Sequence, residues 1–175
     1  METLEALRNR RSIRKFKPDQ IKKEDLDKIL EAGMYAPTAM GTQSPYFIVL
    51  QNKSDRDYVA ELNAKVWGRE NFDPYYGAPT IILVFATNNA MSENTKVIDA
   101  SAATTNMLNA AYDLGLGTCW IHRNRKVFEL PEGKELLKKW GIEEELEGVA
   151  SIALGYPDMV APTPKPRKEN YYKII

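Results

Sequence analysis

The sequence predicts a protein that combines α-helices and β-strands in a single domain, residues 1–175. Its 175 residues match the usual size of one domain, roughly 100–200 residues. Apolar residues recur with helical spacing from Leu26 to Met34, which indicates an amphipathic helix. The unbroken apolar run in Thr80–Thr87 indicates instead a strand that helices bury on both faces.

The first half of the chain alternates further helices and strands. Thr3–Asn9 is predicted to be a short helix with Leu4 and Leu7 facing inward. The helix that begins near Leu26 should end near Pro37, because the residue before a proline resists helical angles. The other predicted elements are a polar loop at Pro37–Pro45, a strand at Tyr46–Leu50, a helix at Asp55–Val66 and a surface loop at Trp67–Pro79.

The second half contains the longest predicted helix, Val97–Leu114, which Gly115 should end. Many of its side chains are small, so we expect other elements, including a second subunit, to pack closely against it. The remaining predicted elements are strands at Thr118–Ile121 and Val149–Leu154, a helix at Lys134–Trp140 and a solvated acidic turn at Glu143–Glu147.

Residues 161–175 are predicted to form an extended arm. Prolines alternate at Pro162, Pro164 and Pro166, which excludes a helix and favours an extended chain. The last five residues, 171–175, are mostly apolar, and such a terminus is unfavourable in water. We expect the arm to dock on a second copy of the chain, and a free tail is the alternative.

The composition excludes several classes of protein. The 24 Lys+Arg balance the 24 Asp+Glu, so the surface as a whole should bind neither nucleic acid nor membrane. Cys119 is the single cysteine, and with His122 it supplies only part of a zinc site, so no metal is expected. The longest apolar run, Ile81–Ala86, is far shorter than the roughly 20 residues of a membrane span. No secretory apolar segment follows the charged start, so the expected location is the cytoplasm.

The zero net charge conceals a cluster of cations. Arg8–Lys17 holds six Lys or Arg residues and no acid. Arginine pairs bidentately with phosphate, and a serine hydroxyl adds a donor. In an extended segment, Arg10, Ser12 and Arg14 would point to one side, towards a single dianionic phosphate. From this segment alone, a solvated basic stretch or a nucleic-acid patch is an equal alternative.

Three further segments could contribute to a ligand site. In the loop Ala36–Gln43, small side chains let the main chain reach a planar ligand, although a plain helix-to-strand connection is favoured when the loop is considered alone. The turn Gly115–Gly117 runs from helix to strand, the reverse of the Rossmann order, which excludes a Rossmann nicotinamide site. Cations at Lys165, Arg167 and Lys168 could converge with the first cluster on one phosphate.

Taken in order, these segments resemble the nitroreductase family of flavin enzymes. The resemblance rests on RRSIRKF, EAGMYAPTAMGTQSPYFIVL, IDASAATTNMLNAAYDLGLGTCWI, VASIALGYP and the KPRK tail. Each motif is weakly specific, but their order and spacing extend over nearly the whole chain. The resemblance implies an α+β fold with a central, mainly antiparallel or mixed sheet flanked by helices. It also implies a homodimer with exchanged C-terminal arms and active sites at the interface.

The resemblance further implies one FMN in each site. Arg14 should lie near the N1–C2=O edge, where a cation stabilises the negative charge that develops on reduction. The other cofactor-binding residues implied are Arg10, Arg11, Ser12, Lys165 and Arg167 at the phosphate, Pro37, Thr38, Ala39, Gly41 and Gln43 from the second subunit, Trp120, Ile121 and His122 at one flavin face or edge, and Asn63 at the pyrimidine side.

The implied activity is transfer of hydride from NADH or NADPH to a flat acceptor, such as a nitroaromatic or a quinone, in two alternating half-reactions. The flavin carries this chemistry at N5, so no side chain is assigned as catalytic. Arg123 and Arg125 are candidates for recognising the 2′-phosphate of NADPH. Two alternatives stay open: the same fold and flavin with dehalogenation, enone reduction or flavin fragmentation, and a non-catalytic binder of nucleic acid or flavin.

Overall fold

The structure is a computed structural model that describes residues 3–88 and 91–175. Within these residues, an antiparallel sheet has the strand order β1-β2-β4-β3. Its strands are β1 (Pro45–Leu50), β2 (Thr80–Thr87), β3 (Gly117–Ile121) and β4 (Leu146–Gly155). The predicted α+β class and the mainly antiparallel sheet are confirmed.

Helices cover both faces of this sheet. The two central strands are buried on both sides because Ile81 and Leu83 face one apolar cluster, whereas Ile82 and Val84 face the other. The first cluster is closed by α3 (Lys53–Trp67), α5 (Asn124–Glu129) and α6 (Pro131–Lys139), and the second by α2 (Lys23–Met34) and α4 (Lys96–Asp113). The short helix α1 (Thr3–Asn9) precedes them.

The predicted elements form, with boundaries shifted by a few residues. The strand Thr80–Thr87 has the predicted bounds, and Gly115 follows the longest helix with a φ of 76°. The exception is α5, Asn124–Glu129, which the sequence did not predict. The end of the predicted acidic turn is also wrong, because Glu147 already belongs to strand β4.

The predicted inward face of α1 is wrong in the isolated chain, and one residue of the predicted apolar face of α2 is exposed. Leu4 and Leu7 of α1 are 63% and 53% exposed, and Ala6 is the residue that α1 buries. At about 100° per residue, Ala6 lies roughly opposite Leu4 on such a helix. Met34, at the last turn of α2, is likewise exposed.

The segment Trp67–Pro79 is only partly the surface loop that the sequence predicts. Tyr75 in its middle is 1% exposed and is among the largest fully buried side chains of the described residues. Trp67, Phe72 and Tyr76 pack edge to face, with ring centroids 5.2 and 5.8 Å apart. Their contacts agree with packing inside the loop.

Candidate anion and cofactor site beside strand β3

The cation segment lies along the free edge of β3. The Ile13 amide donates to the Thr118 carbonyl at 2.9 Å, and Ser12 forms a parallel bridge with the same residue. Ile13 is buried in the core, which anchors the segment, whereas Arg14 is exposed. Extended pairing therefore separates an apolar anchor from polar side chains that face outward.

Arg10, Ser12 and Arg14 act on one group, the thiol of Cys119 on β3. Burial raises the pKa of this thiol, while the charge of Arg14, a hydrogen bond from Ser12 and the charge of Arg10 lower it. Arg10, Ser12 and Arg14 therefore all lie near this sulfur. That their side chains point to one side of an extended segment stays a prediction.

The cluster carries charge that the described chain does not neutralise. Among residues 3–88 and 91–175, Lys15 is the only one of its six cations in a salt bridge, with Asp158 at 2.8 Å. Burial, and then the adjacent charge of Arg11, lower the pKa of Arg10. Arg11 donates to the main-chain carbonyls of Arg8 and Arg10, but its Nε is buried without a hydrogen-bond partner. An anion seated here would supply the missing acceptors and charge.

The loop 37–43 is held in a strained conformation by Asp99 of α4. Asp99 is 5% exposed, and its carboxylate accepts from the Ala39 amide and the Ser44 hydroxyl, both at 3.2 Å. Met40 and Gln43 have positive φ angles of 54° and 50°, which non-glycine residues rarely adopt. Such strain persists only where the surroundings fix the backbone, and it is often found at ligand sites.

One chain does not bring this loop to the cation segment. The loop precedes β1 at one edge of the sheet, and the cation segment lies beside β3 at the other edge. Three strand spacings separate the edges, roughly 14 Å. The two segments also lie at opposite ends of the strands, because Pro45 pairs with Ala86 whereas Thr118 pairs with Leu154 opposite Thr80.

The end of β3 carries the next predicted residues. Ile121 is buried, Trp120 is half-buried against the α2–α4 face, and His122 is exposed immediately after the strand. They lie on the strand that holds the cation segment, so the structure groups these two predicted parts. Their contact with a flavin stays a prediction.

Asn63 is placed differently from the expectation of an open cofactor contact. It has no exposed surface, and its amide donates to the Tyr75 hydroxyl at 3.1 Å. Its Oδ1 accepts from Arg123 Nε at 2.7 Å. Arg123 therefore stands between Asn63 and the surface at the end of β3, and a direct contact of Asn63 with a ligand stays a prediction.

A buried polar network supports Asn63, and the sequence did not predict it. The Tyr75 hydroxyl donates to Ser151 Oγ at 3.2 Å, and Ser151 donates to Asn124 Oδ1 at 3.1 Å. The Asn124 amide then donates to the Val84 carbonyl at 2.9 Å, where the β2–β4 register shifts. A lone serine inside the apolar run of β4 was the available sequence signal.

Lys165 and Arg167 are exposed and lie in a segment that forms neither helix nor strand, and that residues 161–175 form an extended arm stays a prediction. The structure does not place them against the cation segment. The root of the arm does lie there: the Lys17 amide donates to the Tyr156 carbonyl, and the Asp158 amide to the Lys15 carbonyl, both at 2.9 Å. The convergence of the two basic clusters therefore stays a prediction.

The described residues contain neither a metal-binding cluster nor a membrane-spanning helix. Residues 3–88 and 91–175 contain no group of three or more His, Cys, Asp or Glu side chains arranged to hold a metal ion. No helix in the same ranges combines the length and the apolar content that crossing a bilayer would require.

The fold and the acid-free cation segment define an α+β protein with a candidate anion site at a sheet edge. The chain matches the family model described as Nitroreductase family over residues 7–156, and it therefore belongs to the nitroreductase family.

Relatives and solved structures agree with this assignment. Two archaeal proteins named "Putative NADH dehydrogenase/NAD(P)H nitroreductase" are similar. The one from Methanothermobacter thermautotrophicus is 33% identical over 90% of this chain and 78% of its own length. The one from Archaeoglobus fulgidus is 34% identical over 89% of this chain and 86% of its own length. A solved nitroreductase with bound FMN from Bacteroides fragilis superposes with a TM-score of 0.89 and 29% identity, covering 100% of this chain and 99% of that one.

Proposed function

We propose that the protein is an FMN-dependent oxidoreductase that takes hydride from NADH or NADPH and reduces a flat acceptor, such as a nitroaromatic or a quinone. The observation that carries the proposal is the acid-free cation segment paired with β3 through Ile13 and Thr118. Support comes from the FMN bound in the similar Bacteroides fragilis nitroreductase. The names of the archaeal relatives support NADH or NADPH as the donor.

The residues present fit the phosphate of FMN. The buried, unpartnered Nε of Arg11 and the uncompensated charge of Arg10 call for an anionic acceptor, and Ser12 adds a hydroxyl donor. Arginine forks and backbone or hydroxyl donors are suited to a phosphate dianion. When bound, FMN supplies the group that accepts hydride and passes it on. Arg14, an exposed cation on the same segment, would stabilise negative charge on the ring system.

We also propose that the working unit is a homodimer of single-domain, 1–175 chains. The strained loop with Thr38, Ala39 and Gly41 lies at the sheet edge away from the cation segment, so a second subunit must supply it. The arm can reach the phosphate: Lys165 is six residues beyond Met159, which lies next to Arg14, a span of up to about 20 Å when extended. The cytoplasm remains our proposed location.

The decisive test is the visible spectrum of the purified protein, followed by release and identification of its cofactor. We expect a flavin spectrum and FMN, at about one per chain. The variant Arg10→Ala/Arg14→Ala should bind FMN roughly 100-fold more weakly or worse, since each lost contact involves a charged donor. The matched control Lys134→Ala/Lys138→Ala removes two exposed cations from α6 and should bind FMN as the wild type does.

Two results would overturn the proposal. A colourless protein that does not take up added FMN would exclude the flavin. A double variant that keeps its FMN affinity but loses salt-sensitive binding to DNA would favour a nucleic-acid binder. Turnover of nitroaromatics, quinones, enones and halogenated aromatics by the FMN-loaded protein then separates the acceptor classes.

A further inference from the structure

Trp67, at the end of α3, is flanked by two arginines. The guanidinium carbon of Arg123 lies 4.0 Å from its ring centroid, and that of Arg69 lies 4.6 Å away. The two cations are therefore within about 9 Å of each other. In the described part of the chain, neither forms a salt bridge with an acid. Stacking on an aromatic ring orients a guanidinium while leaving its edge free for other hydrogen bonds.

The buried network that includes Asn63 fixes the orientation of the Arg123 side chain. Its Nε donates to Asn63 Oδ1 at 2.7 Å, and within residues 3–88 and 91–175 its two terminal nitrogens make no hydrogen bond, so they can bind an outside ligand. Asn63 itself cannot turn without breaking its bond to the Tyr75 hydroxyl at 3.1 Å. A guanidinium held in one orientation before binding loses less entropy when it binds an anion.

This arginine is next in sequence to the residues predicted at the flavin edge. Arg123 follows directly after His122 and Ile121, the residues expected at the flavin edge. Arg125, the other candidate for recognising the donor phosphate, is already used within the chain. It pairs with Glu129 at 2.9 Å and Glu147 at 3.1 Å, and these contacts, led by the hydrogen bond with Glu129, raise its pKa.

We propose that Arg69 and Arg123 form a phosphate site for the reduced pyridine dinucleotide that donates hydride. This rests on the proposed function. Two cations without acidic partners match the two negative charges of either the 2′-phosphate of NADPH or the pyrophosphate that NADH and NADPH share. The terminal nitrogens of Arg123 supply the bidentate fork, and Arg69, which is more exposed than Arg123, supplies the second charge.

The test measures ligand binding separately from turnover. Isothermal titration of ADP-ribose and 2′-phospho-ADP-ribose into the purified protein needs neither electron transfer nor an acceptor, and it can be run with and without FMN. Steady-state kcat/KM for NADPH and NADH is then measured on the FMN-loaded protein. The variants are Arg69→Ala, Arg123→Ala and, as the control, Arg125→Ala.

We expect each of Arg69→Ala and Arg123→Ala to weaken nucleotide binding about 10- to 100-fold while FMN affinity stays unchanged. A loss confined to 2′-phospho-ADP-ribose and NADPH assigns the 2′-phosphate, and an equal loss for both nucleotides assigns the pyrophosphate. Arg125→Ala should have no effect on either nucleotide.

Wild-type nucleotide affinities in both arginine variants would overturn the site, whatever the flavin content. The same holds if Arg125→Ala weakens binding as much as they do. If FMN is absent but the nucleotide losses are seen, the phosphate site stands and the proposed function fails. If FMN and turnover are present but the losses are absent, only this inference fails.

Discussion

Replacing Tyr75 by Phe tests the buried network with little change in volume. The Tyr75 hydroxyl accepts from Asn63 Nδ2 at 3.1 Å and donates to Ser151 Oγ at 3.2 Å, and the residue is 1% exposed. Tyr75→Phe removes both bonds and leaves the ring in place. Because Asn63 has no exposed surface, its amide hydrogen would stay buried without a partner.

The expected loss follows from these two contacts. A neutral hydrogen bond contributes about 0.5–1.5 kcal/mol net, and a buried unsatisfied donor costs about 1–3 kcal/mol. Tyr75→Phe should therefore lower the free energy of unfolding by about 2–3 kcal/mol. For a chain of this length, that corresponds to a fall of roughly 4–12 °C in Tm.

Urea unfolding of wild type, Tyr75→Phe and the control Tyr76→Phe measures this loss. Tyr76 is a half-buried neighbour whose hydroxyl makes no hydrogen bond within the described residues, so its variant should lie within about 0.5 kcal/mol of wild type. The urea m-value should be the same in all three proteins, since the surface exposed on unfolding does not change.

The dependence of stability on alkaline pH tests the same prediction in a second way. Burial raises the pKa of Tyr75 above its ordinary value. The folded chain keeps this phenolic proton where the unfolded chain has lost it, so wild-type stability falls as pH rises past the unfolded pKa of about 10. Tyr75→Phe lacks this ionisable hydroxyl. The difference in the free energy of unfolding between wild type and Tyr75→Phe should therefore shrink above that pH. A Tyr75→Phe protein as stable as Tyr76→Phe at pH 7, or a difference that widens in alkali, would refute the reasoning.

Three further predictions address other parts of the fold. Asp99→Ala should lower the free energy of unfolding by about 2–4 kcal/mol and Ser44→Ala by about 1 kcal/mol, because the first change removes both hydrogen bonds to the loop. Equal losses for the two variants in urea unfolding would contradict this role of Asp99. Gly133→Ala should destabilise by about 1–3 kcal/mol or more in the same assay, since its Cβ would lie 2.2 Å from the Val127 carbonyl oxygen; wild-type stability would contradict it. Cys119 is 3% exposed, and burial raises the pKa of its thiol. At pH 8 it should react with a thiol reagent roughly 100-fold or more slowly in the folded protein than in the protein unfolded in urea. Equal rates would show that the thiol is accessible in the folded protein.

Long apolar patterns could be predicted from the sequence because they report burial directly. Ile81–Ala86 is apolar throughout because helices cover both faces of β2, and this left no second interpretation. A helix of two turns has too few apolar positions to show such a pattern. In α1, the small residue Ala6 takes the buried position that Leu4 and Leu7 were expected to hold. The helix α5 is shorter still and directly follows a strand, so no periodicity could show it.

The candidate site likewise contains one part that the sequence could predict and one part that it could not. The cation segment was predictable because six like charges without an acid need an explanation in any fold. The hydrogen bonds that support Arg123 were not predictable, because Asn63, Tyr75 and Ser151 lie on different elements and no pattern in the sequence links them. Only the register of β4 against β2 and the packing of α3 on that face bring their polar atoms within 3.2 Å.

Stability alone does not account for this network. Taking an amide, a phenol and a hydroxyl out of water costs about as much as their mutual hydrogen bonds return, and an apolar core of the same shape would be as stable. What such a network adds is a fixed arrangement, because each partner must stay in place for the others to be satisfied. Here the arrangement ends at Arg123, whose Nε is bound and whose guanidinium lies over Trp67. Within the described residues its terminal nitrogens make no hydrogen bond, and the network thus fixes the orientation of a guanidinium that can bind a ligand, which is why we assign it to recognition.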